Sequence, residues 1–203
     1  MKKQLTAIVV LFAILLTGCQ QKTSNIDIRN DDGKSVMALD YRDFDQAASE
    51  MIQSMLQSGA LNKQDSSRYV VAAGRIVNDT MQRIDTDQLM VKIEEELLNS
   101  GKVVMTSAVG GKTDKTMYDI RELEKSGHAD EFNKETAPAK GQIILPELSI
   151  SGKIRQQNLR YDKNRQQVEY YFQLMVTDVT SGLRVWQKES IIGKRGSNKS
   201  VAW

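Results

Sequence analysis

The chain is poor in the residues on which most catalytic and metal chemistry rests. Its 203 residues include one cysteine, Cys19, and one histidine, His128. A single cysteine excludes a disulfide within the chain, and a single histidine excludes a His₂ or His₃ metal site built from one chain. His128 falls in a polar helical stretch, where it reads as a solvent-facing side chain rather than the centre of a nucleophilic triad. Long apolar runs are missing as well. The one extended run, from Ala7 to Leu16, falls well short of the ~20 residues a helix needs to cross hydrocarbon. Excess charge is also absent, because the formal net +2 comes from Lys2 and Lys3 alone. Without them the electrostatic case for nucleic acid disappears, and no nucleic-acid partner is expected.

Two motifs that could carry chemistry do not survive inspection. Val109-Gly110-Gly111-Lys112-Thr113 resembles the end of a phosphate-binding loop, but G-x-x-x-x-G-K-[ST] requires glycine at 106, where this chain has Thr106. The run Glu94-Glu95-Glu96 sits beside the apolar Ile93 and Leu97 on a helical pattern and reads as a solvated face. No pair of carboxylates stands out for acid–base work. The expectation is a protein with no catalytic residues, no metal and no cofactor.

What is present begins at the N-terminus. Met1-Lys2-Lys3, the apolar run and Leu16-Thr17-Gly18-Cys19 together form a lipoprotein signal peptide. Against an ordinary secretory signal with an incidental cysteine stands the placing of the chain's one thiol at the cleavage site. Residues 1–18 are expected to be removed and Cys19 to be lipidated, with two or three acyl chains giving a durable anchor where one gives only marginal binding. Gln20 occupies the position where aspartate would signal retention in the inner membrane, which favours the outer membrane, facing the periplasm. Residues 19–38 carry few apolar groups and no sustained periodicity, and read as a flexible tether. Residues 39–203 are then one globular domain.

Within that domain, Phe44, Ala47, Ala48, Met51, Ile52, Met55 and Leu56 recur at helical spacing over 43–57 and end at Gly59. Residues 69–77 form a short apolar, β-branched run that reads as a buried strand. Asp85 and Gln88 make a capping pattern for a helix carrying Leu89, Met90, Ile93, Leu97 and Leu98. Val103-Val104-Met105 is a second strand, and a polar helical region covers 115–132. After Pro138 and Gly141 the period changes to two: Leu148, Ile150 and Ile154, then a turn at 162–165, then Val168, Tyr170, Phe172, Leu174 and Val176, then a turn at Ser181-Gly182 and a strand around Trp186. The class is α+β, with a mixed or antiparallel sheet of about four to five strands and helices packed on it. Charge is uneven: residues 40–140 carry 13 Lys/Arg against 18 Asp/Glu, and residues 141–203 carry 10 against 5. Either a basic sheet faces acidic helices within the molecule, or a basic face awaits an acidic partner. Tyr171, Arg155 and Arg160 lie where the sheet could meet that partner, and Trp203 either packs back on the fold or remains available.

The lipobox cysteine, the polar tether, the segment from Tyr41-Arg42-Asp43-Phe44 to Met51-Ile52 and the run from Asn78-Asp79-Thr80 to Ile84-Asp85-Thr86 resemble the LpoB family. So do Ser149-Ile150-Ser151-Gly152-Lys153-Ile154 and the late strand around Gly182 and Trp186. The resemblance implies a fold similar to the N-terminal domain of TolB. It also implies a lipid-anchored outer-membrane protein that binds and activates a bifunctional class A penicillin-binding protein in peptidoglycan synthesis. A departure is the tether, about twenty residues without proline, where enteric members carry a long proline- and glutamine-rich one. Only Cys19 is carried over residue by residue. Lys153, Arg155, Arg160, Lys163 and Arg165 are the candidate docking edge. The alternative is an accessory lipoprotein of an envelope secretion or surface-assembly system.

Overall fold

The computed structural model describes residues 36–110, 113–131 and 140–197, together with 27, 133, 135, 136 and 199. Cys19, most of the expected tether and Trp203 lie outside the described residues. The chain divides into two units, Met1–Gly33 and Lys34–Trp203, and every element below belongs to the second.

Helix α1 spans Tyr41–Gln57, starting two residues before the apolar spacing alone would place it. The reason is a cap. The Asp40 carboxylate accepts the N–H groups of Arg42 and Asp43 at 2.9 and 3.3 Å, while the Asp43 carboxylate accepts the Asp40 N–H at 2.9 Å. Strand β1 (Tyr69–Asp79) is followed by helix α2 (Thr86–Asn99), capped by Asp85, whose carboxylate accepts from the N–H groups of Asp87 and Gln88. Strand β2 is Val103–Thr106, and helix α3 is Lys115–Lys125. The sequence pattern extended α3 to Phe132. It stops earlier because Ser126 turns extended and caps Leu123 with both its N–H and its hydroxyl, and Gly127 follows before a single 3₁₀ turn at Ala129–Glu131. Strands β3 (Leu148–Arg160), β4 (Arg165–Asp178) and β5 (Arg184–Ser197) form the late meander.

The five strands lie in the order β2-β1-β3-β4-β5. β1 runs parallel to both β2 and β3, and β4 is antiparallel to both β3 and β5, so the sheet is mixed. Alternation places Leu148, Ile150, Ile154, Val168, Tyr170, Phe172, Leu174 and Val176 on one face, all buried. There they meet Met51, Ile52 and Met55 of α1 and Ile93 and Leu97 of α2 in one core. The two helices are joined by Ser49, whose hydroxyl donates to Glu96 at 2.6 Å, and by Lys92, whose ammonium lies 3.1 Å from Asp45.

The segment before α1 is part of the same packing. Leu39 is buried, and its N–H and carbonyl are both bonded to the side chain of Gln82 at 3.0 Å. Met37 packs against the core, its carbonyl accepts from the Tyr170 hydroxyl at 3.3 Å, and its sulfur stands where a Cβ on Gly196 would come within 2.5 Å. Gly110 has a packing role too: its φ is +108°, and an added Cβ would collide with the Ala73 carbonyl oxygen of β1.

Candidate interaction surface

Because α1 and α2 occupy one face of the sheet, the odd-numbered residues of β3, β4 and β5 emerge on the other. Two cross-strand rows define its centre. The first is Val77, Lys153, Gln173 and Glu189, and the second is Asp79, Arg155, Tyr171 and Ile191. Charge is matched across them. Lys153 Nζ lies 2.7 Å from Asp79, Arg155 donates to Glu189 at 2.7 Å, and the Arg155 guanidinium stands 5.2 Å from the centre of the Tyr171 ring. The Tyr171 hydroxyl in turn donates to Glu169 at 2.5 Å. That bond, with a second from Gln167, holds the Glu169 carboxyl below its usual range and raises the Tyr171 phenol. The Lys153 bond likewise lowers the pKa of Asp79. In these rows Val77 and Ile191 are 54% and 60% exposed, so apolar surface alternates with pre-arranged polar groups. The face thus presents fixed charges interleaved with exposed aliphatic groups on paired strands.

The five cations of the expected docking edge fall into two groups. Lys153 and Arg155 stand on the central rows. Arg160, Lys163 and Arg165 stand at the tip of the β3–β4 hairpin, five or more residues further along, roughly 17 Å at strand spacing. At that tip Arg165 donates to Asp162 at 2.7 Å and lies 5.0 Å from the Tyr161 ring centre. Arg195 of β5 covers the same ring at 3.9 Å and donates to Gln167. Backbone N–H groups of Asn164 and Arg165, with the Arg165 side chain, hold Asp162 below its usual range.

Sequence reasoning named neither Tyr161 nor Arg195. No apolar alternation past Trp186 marks this part of β5, and only its pairing along β4 sets Arg195 opposite Gln167. Of the chemical candidates, His128 is exposed and 2.8 Å from Glu131. Glu96 is half-buried and engaged with Ser49 and Lys92, more structural than the solvated face expected of it. Of the phosphate-loop look-alike, Gly111 and Lys112 lie outside the described residues. Among the described residues, no three His, Cys, Asp or Glu side chains are grouped to hold a metal, and no helix is long and apolar enough to cross a membrane. A separate cleft of about 200 Å³ opens between the first turns of α1 and α2, lined by Tyr41, Phe44, Ile84, Leu89, Asp45 and Lys92.

The architecture is therefore that of a mixed sheet backed by α1 and α2, with its far face open over β3, β4 and β5, while at β1 and β2 the 107–110 loop covers Ala72 and Met117 and Arg121 of α3 line a hollow with Val70 and Val104. Residues 43–192 match the family described as peptidoglycan-synthase activator LpoB, and the chain belongs to that family. The LpoB C-terminal domain from Escherichia coli aligns at 13% identity and a TM-score of 0.44, covering 74% of this chain and 98% of that one. The same domain from Salmonella enterica gives 13% identity, a TM-score of 0.41 and the same coverage. The solution structure of E. coli LpoB gives 13% and 0.40, over 90% of this chain and 83% of that one. Comparison with curated proteins finds no match.

Proposed function

We propose that this chain is a lipid-anchored periplasmic regulator that binds a bifunctional class A penicillin-binding protein and raises its activity without catalysing a reaction. Membership of a family of peptidoglycan-synthase activators over residues 43–192 is the observation that carries this reading. The open sheet face supports it by offering a rigid surface, and Lys153, Arg155, Tyr171 and Ile191 are the proposed contacts. An activator of this kind acts by binding the active conformation of its partner more tightly than the inactive one, and a ten-fold bias corresponds to ~1.4 kcal/mol. The anchor is Cys19, in the outer membrane.

The test is lipid II polymerisation and cross-linking by each purified class A synthase of the organism, with and without this protein. Stimulation is expected, and Ile191→Asp together with Arg155→Glu should weaken it while the thermal transition persists. Absence of both binding and rate change with every such synthase at micromolar concentration would overturn the proposal. Anchoring is tested separately: Cys19→Ser should abolish metabolic acyl labelling, and labelling that persists would remove the anchor.

A further inference from the structure

The hairpin tip is not needed for the activator reading, yet it concentrates charge. Between residues 159–167 and 193–199 stand six Lys/Arg and a single acid, Asp162. Lys194 turns inward to Asp43, with its side chain only 11% exposed. Arg160, Lys163, Arg165, Arg195 and Lys199 are exposed, and Arg165 and Arg195 flank the half-exposed ring of Tyr161. Arg165 and Arg195 are stacked on that ring from two strands, so the cations are held together rather than splayed. Glu169, the next acid along β4, is engaged with Tyr171 and Gln167.

A second, independent observation gives this patch a direction. The chain enters the domain at the same end. Met37 is fixed against Tyr170 and Gly196, and Gly196 pairs with Gln166, one register position from the Arg165–Ser197 pair at the tip. Met37 is only eighteen positions along the chain from Cys19. A flexible chain of that length spans roughly 25 Å on average and ~60 Å at most, less on average than the diameter of a domain of this size, roughly 40 Å. An anchored domain would therefore hold its entry end, and the tip beside it, near the lipid surface. The opposite end, with the β4–β5 turn at Thr180, would face away.

We propose that the β3–β4 tip, with Arg160, Lys163, Arg165 and Arg195 around Tyr161, is a contact surface for anionic phospholipid headgroups that sets the orientation of the anchored domain. Guanidinium groups match phosphate oxygens in geometry, and a half-exposed tyrosine suits the headgroup layer. Each cation at an anionic surface multiplies association by roughly five-fold, within a Debye length of ~8 Å, and tethering raises the local lipid concentration further. With the tip on the lipid, the flat sheet face stands at an angle to the membrane, free for a partner. This proposal rests on the anchor at Cys19 and not on the identity of the synthase.

The mature lipidated chain suits a direct test, because a cysteine introduced by substitution is its only free thiol. Asn164→Cys at the tip and Thr180→Cys at the far end would carry a fluorophore, with the protein reconstituted into phosphatidylcholine vesicles with and without phosphatidylglycerol and a headgroup-attached quencher. Strong quenching is expected at 164 only, only with phosphatidylglycerol, and it should be lost in high salt and in the combined Arg160→Glu, Lys163→Glu, Arg165→Glu variant. The lipid and salt arms need no charge substitution and stand even if that variant fails to fold. Equal quenching at 164 and 180, or quenching at 164 that persists without phosphatidylglycerol, overturns the proposal. So does charge reversal that abolishes synthase stimulation in detergent but leaves quenching intact, since the tip would then dock a protein. Vesicle flotation of the unlabelled chain reports on the anchor by itself, and its failure removes the anchor and this proposal while leaving the synthase assay untouched.

Discussion

Lys194 and Asp43 form the least exposed ion pair described in the molecule, 2.6 Å apart with 11% and 16% of their side chains exposed. It ties β5 to the first turn of α1. The Asp43 carboxylate has a second donor in the Asp40 N–H, so it is not orphaned when the ammonium is removed. Lys194→Met should therefore destabilise by about 1–3 kcal/mol, below the 3–5 typical of a fully buried pair, and Lys194→Met with Asp43→Asn should cost less than the sum of the two single changes. Denaturant unfolding of the four proteins measures this. Glu147 makes a different kind of junction. Its carboxylate accepts from the Val70 N–H at 3.2 Å and meets Lys63 at 2.6 Å, fixing the start of β1 beside β3. The Lys63 bond, against a smaller opposing effect of burial, lowers the Glu147 pKa, and the same bond raises that of Lys63. The sign follows from linkage. Stability from Glu147 is present above its ordinary value of 4.5 and is lost as pH falls through the depressed one, whereas that from Lys63 is lost only as pH rises above 10.5. Glu147→Gln should thus flatten the acid side of the stability profile and leave pH 6–8 unchanged in slope.

At the scale of the element, β4 separates its two faces cleanly. Leu174 is fully buried and its neighbour Gln173 lies on the open face between Lys153 and Glu189. Leu174→Ala should cost ~2–5 kcal/mol and Gln173→Ala well under 1, read from the midpoint of unfolding at constant slope. Equal losses would place helices on both faces. That inward alternation was legible in the sequence, because Val168, Tyr170, Phe172, Leu174 and Val176 are large and apolar at every second position. The start of α1 was less legible, since Asp40 and Asp43 act through reciprocal backbone bonds that apolar spacing does not register. β5 proved longer than the segment around Trp186. Its second half, with Gly193, Lys194, Arg195 and Gly196, has weak strand propensity and is held by pairing along the whole of β4. For that reason the cation–ring stack of Tyr161, Arg165 and Arg195 could not be assembled from sequence. The central place of β1 was hidden too. Its parallel pairing with both β2 and β3 joins segments some thirty and eighty residues apart, and no local pattern encodes it.

For the whole molecule, the uneven charge along the chain resolves partly inside it. Lys153 meets Asp79 and Lys194 meets Asp43, each a late cation on an early acid, while the cations of the hairpin tip stay at the surface. The α1, α2 and sheet core carries the stability, and the opposite face over β3, β4 and β5 stays exposed, where the proposed contacts lie. The boundary of the folding unit can then be argued from packing. Val36 is exposed, whereas Met37 lies over Gly196 and receives the Tyr170 hydroxyl, and Leu39 is clamped by Gln82. A chain beginning at Val36 should unfold cooperatively at a temperature close to that of the mature protein. One beginning at Leu39 loses the methionine side chain, uncovers Gly196 and removes the carbonyl partner of an otherwise buried tyrosine, and should be destabilised by ~1–3 kcal/mol. Thermal unfolding of both truncations measures the difference. If the two transitions coincide, Met37 contributes nothing to the core and the tether extends to residue 38. If the chain from Val36 already unfolds well below the mature protein, residues before 36 are part of the fold.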